Sequence, residues 1–162
     1  QAGLLAALAH RPPLLLLDEP SLGLDPVVRR EILCAVIRGV ADEGRTVVFS
    51  SHLLDEVERI ADDVALIHQG RLILASPLDA VKARYRWVAL RFPEPLATAP
   101  ALPGAAACEG RGREWSVLCD GSVDEVCAAA QRLRAEVMEQ TAATLEDIFV
   151  AYAGGRARRE KE

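Results

Sequence analysis

Several signatures are missing from this 162-residue chain, and each absence removes a class of function. The four cysteines, Cys34, Cys108, Cys119 and Cys127, form no C-x-x-C pair and no metal-ligand spacing. Neither a disulfide framework nor a cysteine metal site is therefore expected, and they read as inert thiols of a reducing compartment. No apolar run approaches the roughly 18 residues a spanning helix needs, so any membrane role has to come through a partner. Positive charge is not in excess: the formal net charge is −5, which argues against a nucleic-acid-binding face. No glycine-rich G-x-x-x-x-G-K-[ST] loop occurs, so the backbone cradle and lysine that grip phosphates in such loops are not encoded in these residues. What remains is 51% hydrophobic and 27% charged, the composition of a globular protein with one domain, or an incomplete domain and a small second one.

What is present is organised around Leu14-Leu15-Leu16-Leu17-Asp18-Glu19-Pro20 and the Ser21-Leu22-Gly23-Leu24-Asp25 that follows. Four leucines in a row make the short continuous apolar run expected of a strand buried on both faces of a parallel sheet. Two carboxylates end it, and open α/β sheets bind ligands outside the carboxyl ends of their strands. An unpaired carboxylate beside such a strand is costly to bury, so a cation or a hydrogen-bond donor is expected at Asp18 and Glu19. A second apolar run, Thr46-Val47-Val48-Phe49, ends in Ser50-Ser51-His52.

The ordered pair of motifs resembles an ATP-binding-cassette (ABC) ATPase, of the kind that forms the nucleotide-binding subunit of bacterial export-type transporters. Leu14 to Asp18 is similar to the Walker B strand, Glu19 to the catalytic glutamate, Ser21 to Asp25 to the D-loop, and His52 to the switch histidine. The resemblance implies an α/β fold, the C-terminal part of a P-loop NTPase parallel sheet with flanking helices. In that family a P-loop, a Q-loop and a signature motif precede these residues. Here the sequence opens at Gln1, without an initiator methionine or a signal peptide, on what reads as the body of an apolar helix. The expectation is a fragment cut just after the signature motif.

Along the chain, Pro12-Pro13 ends the first helix. Asp25-Pro26 reads as an N-cap with proline at the first helical position, and Val28, Ile32, Val36 and Val40 give one buried face up to Gly44. Strand, helix and strand make a βαβ unit. Leu53 to Ala61 reads as a helix with Leu53, Val57 and Ile60 inward and Asp55, Glu56, Glu58 and Arg59 outward. Strands at 64–68 and 71–75 are joined by the hairpin turn Gln69-Gly70, and Pro77 opens a short helix. Beyond residue 84 the composition shifts. Pro93, Pro95, Pro100 and Pro103 read as an irregular excursion after a strand at 87–92. A strand at 114–119, a helix opened by the capping box Ser122 to Glu125, a strand at 135–140 and a helix from Thr144 complete a small α+β module. This β-β-α-β-α order, with Thr144-Leu145-Glu146 opening the last helix, resembles the C-terminal extension of export-type cassettes. The expected domains are 1–84 (partial ATPase), 85–155 (accessory) and 156–162 (charged tail).

By this resemblance Asp18 would hold Mg²⁺, Glu19 would act as general base on the attacking water, and His52 would contact the γ-phosphate of ATP. Ser21, Leu22, Gly23, Leu24 and Asp25 would reach across a head-to-tail dimer with a second ABC ATPase subunit. The expected partner is an integral membrane permease, with the chain on its cytoplasmic face and no nucleic acid involved. A non-transport cassette ATPase acting on ribosomes or DNA is the alternative, disfavoured by the compact module after Ala75. Simpler roles stand beside these: Asp25 is also a good N-cap, His10 and His68 read as structural or surface residues, and the stripe Leu145, Ile148, Phe149 and Tyr152 reads as core. One expectation is directly testable. Without the phosphate-gripping loop the 162-residue chain should not bind ATP, and calorimetry showing micromolar binding would contradict that.

Overall fold

The structure is a computed structural model that describes residues 8–20 and 26–159. It divides into two compact units, Gln1–Ala61 and Asp62–Glu162.

In the first unit, strand β1 (Leu14–Leu17), helix α1 (Pro26–Asp42), strand β2 (Thr46–Phe49) and helix α2 (Leu54–Ile60) follow one another. The two strands pair in parallel, Leu14 opposite Thr46 and Leu17 opposite Phe49, as the βαβ pattern requires. Gly44, at φ +75, ends the crossover, and its N–H donates to the Ala41 carbonyl at 2.8 Å.

The leucine run does not behave as a strand buried on both faces. Leu15 is buried, whereas Leu14 and Leu16 are 49% and 69% exposed, as is Val48 at 54%. Side chains alternate across a strand, so Leu14, Leu16 and Val48 share one face of the two-stranded sheet, and among the described residues nothing covers it. On α1 the buried residues are Leu33, Ile37 and Val40, with Val36 at the border. Of the expected stripe, Val40 is buried and Val36 half-buried, Leu33 and Ile37 join them, and the side chains of Val28 and Ile32 lie outside the described residues. In α2, Leu53, Val57 and Ile60 are half-buried as expected, but Glu56 is buried rather than outward. Its place in the first helical turn, where backbone N–H groups favour a carboxylate, makes that burial tolerable.

In the second unit, β3 (Asp63–His68) and β4 (Arg71–Pro77) form the anticipated antiparallel hairpin. Its turn residues Gln69 and Gly70 both take positive φ, +49 and +71, the signature of a two-residue turn that matches strand twist. Helix α3 (Leu78–Arg84) leads to β5 (Tyr85–Leu96), β6 (Ala105–Asp120), helix α4 (Val123–Arg132), β7 (Glu136–Ala142) and helix α5 (Leu145–Arg159). The sheet order is β6-β5-β7, antiparallel throughout. Val88, Leu90 and Phe92 of β5 and Val117 and Cys119 of β6 meet Val126 and Ala130 of α4 to form the core. Leu118 faces the opposite side and is buried together with Leu145 and Ile148 of α5, which packs on β6.

Two boundaries differ from the sequence reading. The proline segment is partly strand: β5 continues through Pro93 and Pro95 to Leu96, with its register to β6 broken between Arg91 and Leu96 because proline offers the ladder no N–H. Helix α5 runs through Gly154-Gly155 to Arg159, where a frayed tail was expected. Within β6 the chain needs glycine at 110: a Cβ there, at φ +144, would sit 2.3 Å from the Glu114 carbonyl oxygen. The cap predicted at Ser122 forms, and a second one, at Thr144, appears at the start of α5. The Ser122 hydroxyl accepts from the Glu125 N–H at 3.4 Å, and Thr144 and Asp147 cap each other reciprocally at 2.8 to 3.1 Å. Burial pushes the Cys119 thiol up to about 11, which keeps it an inert core residue.

A polar cluster fastens α5. The Tyr152 hydroxyl donates to Asp120 Oδ2 at 2.6 Å, Arg84 Nε donates to Asp120 Oδ1 at 2.5 Å, and the Tyr85 hydroxyl lies 2.9 Å from that of Tyr152. Burial alone would raise the Asp120 pKa, but the hydrogen bonds from Arg84 and Tyr152 outweigh it and hold the carboxyl below its ordinary value. A carboxyl depressed in the folded state contributes stability above the unfolded pKa, near 4, and loses it as pH falls through the folded value. Tyr152→Phe should therefore lower stability at pH 7 by about 1 kcal/mol in urea unfolding, and the deficit should shrink toward pH 3. An unchanged midpoint at pH 7 would show that the cluster does not hold the helix.

Candidate functional site

Because β1 and β2 are parallel and in register, their C-terminal ends emerge side by side. The Ser50 N–H donates to the Leu17 carbonyl at 2.9 Å, continuing the ladder one step past both strands. The next residues on each strand are those that the sequence reading selected. Asp18 and Glu19 leave β1, and Ser50 to His52 leave β2.

Ser50 joins them. Its hydroxyl donates to Asp18 Oδ1 at 2.6 Å and accepts the Glu19 backbone N–H at 2.8 Å. A serine has one proton to give and lone pairs to spare, so both bonds form at once and fix the hydroxyl's direction. The short O–H···O⁻ contact is the stronger, charge-assisted kind. His52 Nδ1 lies 2.9 Å from both Oε1 and Oε2 of Glu19. The imidazole is largely exposed (61%) and the glutamate half-buried (31%), so the pair sits at a solvent-accessible rim.

Glu19 occupies the left-handed backbone region at φ +44. That conformation costs a non-glycine residue on the order of 1 kcal/mol, and the Ser50 bond to its N–H is the visible restraint that keeps it there.

The structure thus brings His52 to the adjacent pair Asp18 and Glu19, 33 residues away from Glu19 in sequence, all three selected by motif. Ser21, Leu22, Gly23, Leu24 and Asp25 lie outside the described residues. His68 belongs to the second unit, edge-on to Phe149 with ring centroids 5.5 Å apart, and His10 is an exposed helix-end residue. Motif reading gave Ser50 no role. The available signal was its position at the first residue past β2, where a parallel partner must meet the first residue past β1.

The donor set suits a hard cation. Asp18 is exposed and its Oδ1 accepts from Ser50, and magnesium takes one or two protein carboxylates together with phosphate oxygens and water. Among the described residues no group of three or more His, Cys, Asp or Glu side chains gathers to form a protein-only cage.

Residues 1–58 match the family described as "AAA domain, putative AbiEii toxin, Type IV TA system". The ABC transporter ATP-binding protein YtrB of Bacillus subtilis is 28% identical over 158 residues, covering 98% of this chain and 54% of YtrB. The bacitracin transport ATP-binding protein BcrA of Bacillus licheniformis is 40% identical over 84 residues, 52% of this chain and 28% of BcrA. The energy-coupling factor transporter ATP-binding protein EcfA2 of Symbiobacterium thermophilum is 40% identical over 133 residues, 80% of this chain and 43% of EcfA2. The chain spans about half the length of YtrB and less of the other two. These curated relatives are ABC transporter ATP-binding proteins, and the α/β architecture with flanking helices is consistent with their P-loop NTPase class.

Ser50→Ala removes the acceptor of the Glu19 amide and one donor to Asp18. Amide exchange at Glu19 should speed up at least about tenfold while amides within β1 and β2 change little. Unchanged protection at Glu19 would mean that something other than Ser50 holds the turn.

Proposed function

We propose that this relative of ABC transporter ATP-binding proteins is the hydrolytic C-terminal portion of such a subunit, which couples ATP hydrolysis to transport through a separate membrane permease. The observation that carries the proposal is the Asp18–Ser50–Glu19–His52 constellation at the shared end of two parallel strands. It gathers, from two motifs, a metal-binding carboxylate, a candidate base and a phosphate-reaching imidazole.

Phosphoryl transfer asks a protein mainly to position groups and stabilise charge. Asp18 is the residue to hold Mg²⁺, and Ser50 orients its carboxylate. A bound magnesium ion supplies positive charge to the phosphate oxygens. Glu19 accepts the proton of the attacking water at its carboxylate, and its left-handed backbone aims that carboxylate toward the rim where His52 stands. His52 supports the γ-phosphate and, between turnovers, rests on Glu19 as in the structure. The relatives named as transport ATP-binding proteins support a transport role, and the acid pair at a strand end supports ATP with Mg²⁺ as ligands.

The wider arrangement belongs to the same proposal. Residues 1–84 form part of the ATPase and 85–155 an accessory module. Ser21 to Asp25 act as the D-loop toward a second ATPase subunit placed head to tail. No helix among the described residues is long and apolar enough to cross a membrane, so we place the subunit at the cytoplasmic face through its permease. The 162 residues alone are inactive in this reading, for want of the phosphate-gripping loop.

In a protein that also carries that loop, Glu19→Gln should keep ATP binding and lower turnover at least about 100-fold, the scale of a lost general base. Turnover like that of the wild type would remove Glu19 from the chemistry.

A further inference from the structure

We propose that Arg45 is a positioning residue for the candidate site: it sets the register of β1 against β2, and so decides which residue meets Ser50 where the two strands end. The inference rests on the hydrolytic reading above for the purpose of that register, while the register itself is measurable without it.

The need for such a residue lies in the sequence of β1. Register is ordinarily written in the alternation of side chains, because a slip of one residue carries an apolar set to the wrong face. Leu14 to Leu17 hold no such code: after a slip, leucine stands where leucine stood. The difference appears only at the exit. A slip of one residue moves the strand by about 3.3 Å and brings Leu17 or Glu19 to the place of Asp18, opposite Ser50.

The entry end is short of ladder donors. The Thr46 N–H donates to the Pro13 carbonyl at 2.9 Å, but Pro12 and Pro13 have no N–H to return. Arg45 fills that gap with its side chain. Its Nε donates to the Pro12 carbonyl at 2.8 Å and its Nη1 to Glu43 Oε2 at 3.2 Å, while its backbone N–H donates to the Val40 carbonyl at 3.4 Å. One residue thus ties the entry of β1 to the turn before β2 and to the end of the crossover helix α1. The guanidinium is a rigid planar fork, so the Glu43 bond also aims the Nε–H at Pro12. These two bonds hold it in place although its Nη2 is buried with no partner. The side chain is only 11% exposed, and water competes little for the Pro12 carbonyl. Ser50 extends the pairing one step past the strands, and Arg45 fixes it one step before them.

Nuclear magnetic resonance on the isotope-labelled 162-residue chain reads the register directly, through the scalar coupling that crosses a hydrogen bond from a backbone nitrogen to the accepting carbonyl carbon. In the unaltered chain Ser50 should couple to Leu17 and Thr46 to Pro13. Arg45→Met keeps the reach of the side chain and removes its donors. There the Ser50–Leu17 coupling should fall at least about twofold or pass to a neighbouring residue, and the Glu19 amide should exchange at least about tenfold faster, with α1 amides unchanged. Arg45→Lys, which can still donate to Pro12, should recover at least half of each effect. An Arg45→Met chain that keeps both signals, or an Arg45→Lys chain no better than Arg45→Met, overturns the proposal. A further measurement needs no replacement: the Arg45 Nε–H should exchange at least about tenfold more slowly than that of the exposed Arg113. Equal rates overturn the proposal even where Arg45→Met fails to fold.

Discussion

The hydroxyl of Ser50 is the point on which the site depends. Two parallel strands guarantee only that their ends lie near each other; they do not say which atoms meet. By continuing the β1–β2 ladder one residue further, the Ser50 N–H bond to Leu17 fixes where its side chain begins. The hydroxyl then ties together the Asp18 carboxylate and the Glu19 amide. Those bonds direct the Asp18 carboxylate and hold the Glu19 backbone, and the imidazole of His52 meets the Glu19 carboxylate. Without that bridge, two adjacent carboxylates at a strand end would repel each other and turn toward water.

The second unit is held by different means. Its three-stranded antiparallel sheet has a helix on each side, α4 over Val117 and Cys119 and α5 over Leu118. Apolar burial does most of the work there, and the Arg84–Asp120–Tyr152 cluster adds direction, binding the end of α3, the end of β6 and the middle of α5 in one network. Core and network together explain why α5 is a docked helix and not a loose terminal segment.

Much of this was legible in the residues. Element order in the second unit, the Gln69-Gly70 turn, the Ser122 cap and the meeting of Asp18, Glu19 and His52 follow from local chemistry and motif spacing. What escaped has common physical causes. Burial of Leu14 and Leu16 depends on what covers a sheet face, which a leucine run cannot state. The buried Glu56 was settled by tertiary packing, not by periodicity. Pro93 and Pro95 were read as breakers, yet a strand can tolerate them where its ladder is already interrupted. Ser50 was missed because its role exists only in the pairing of two strands.

The backbone of Glu19 has an evolutionary corollary. A left-handed conformation is more comfortable for glycine or asparagine, so variants selected for thermal resistance alone would drift toward those residues at position 19. In the proposed role, an acid at this position gives up backbone comfort for a carboxylate at the rim of the strand ends.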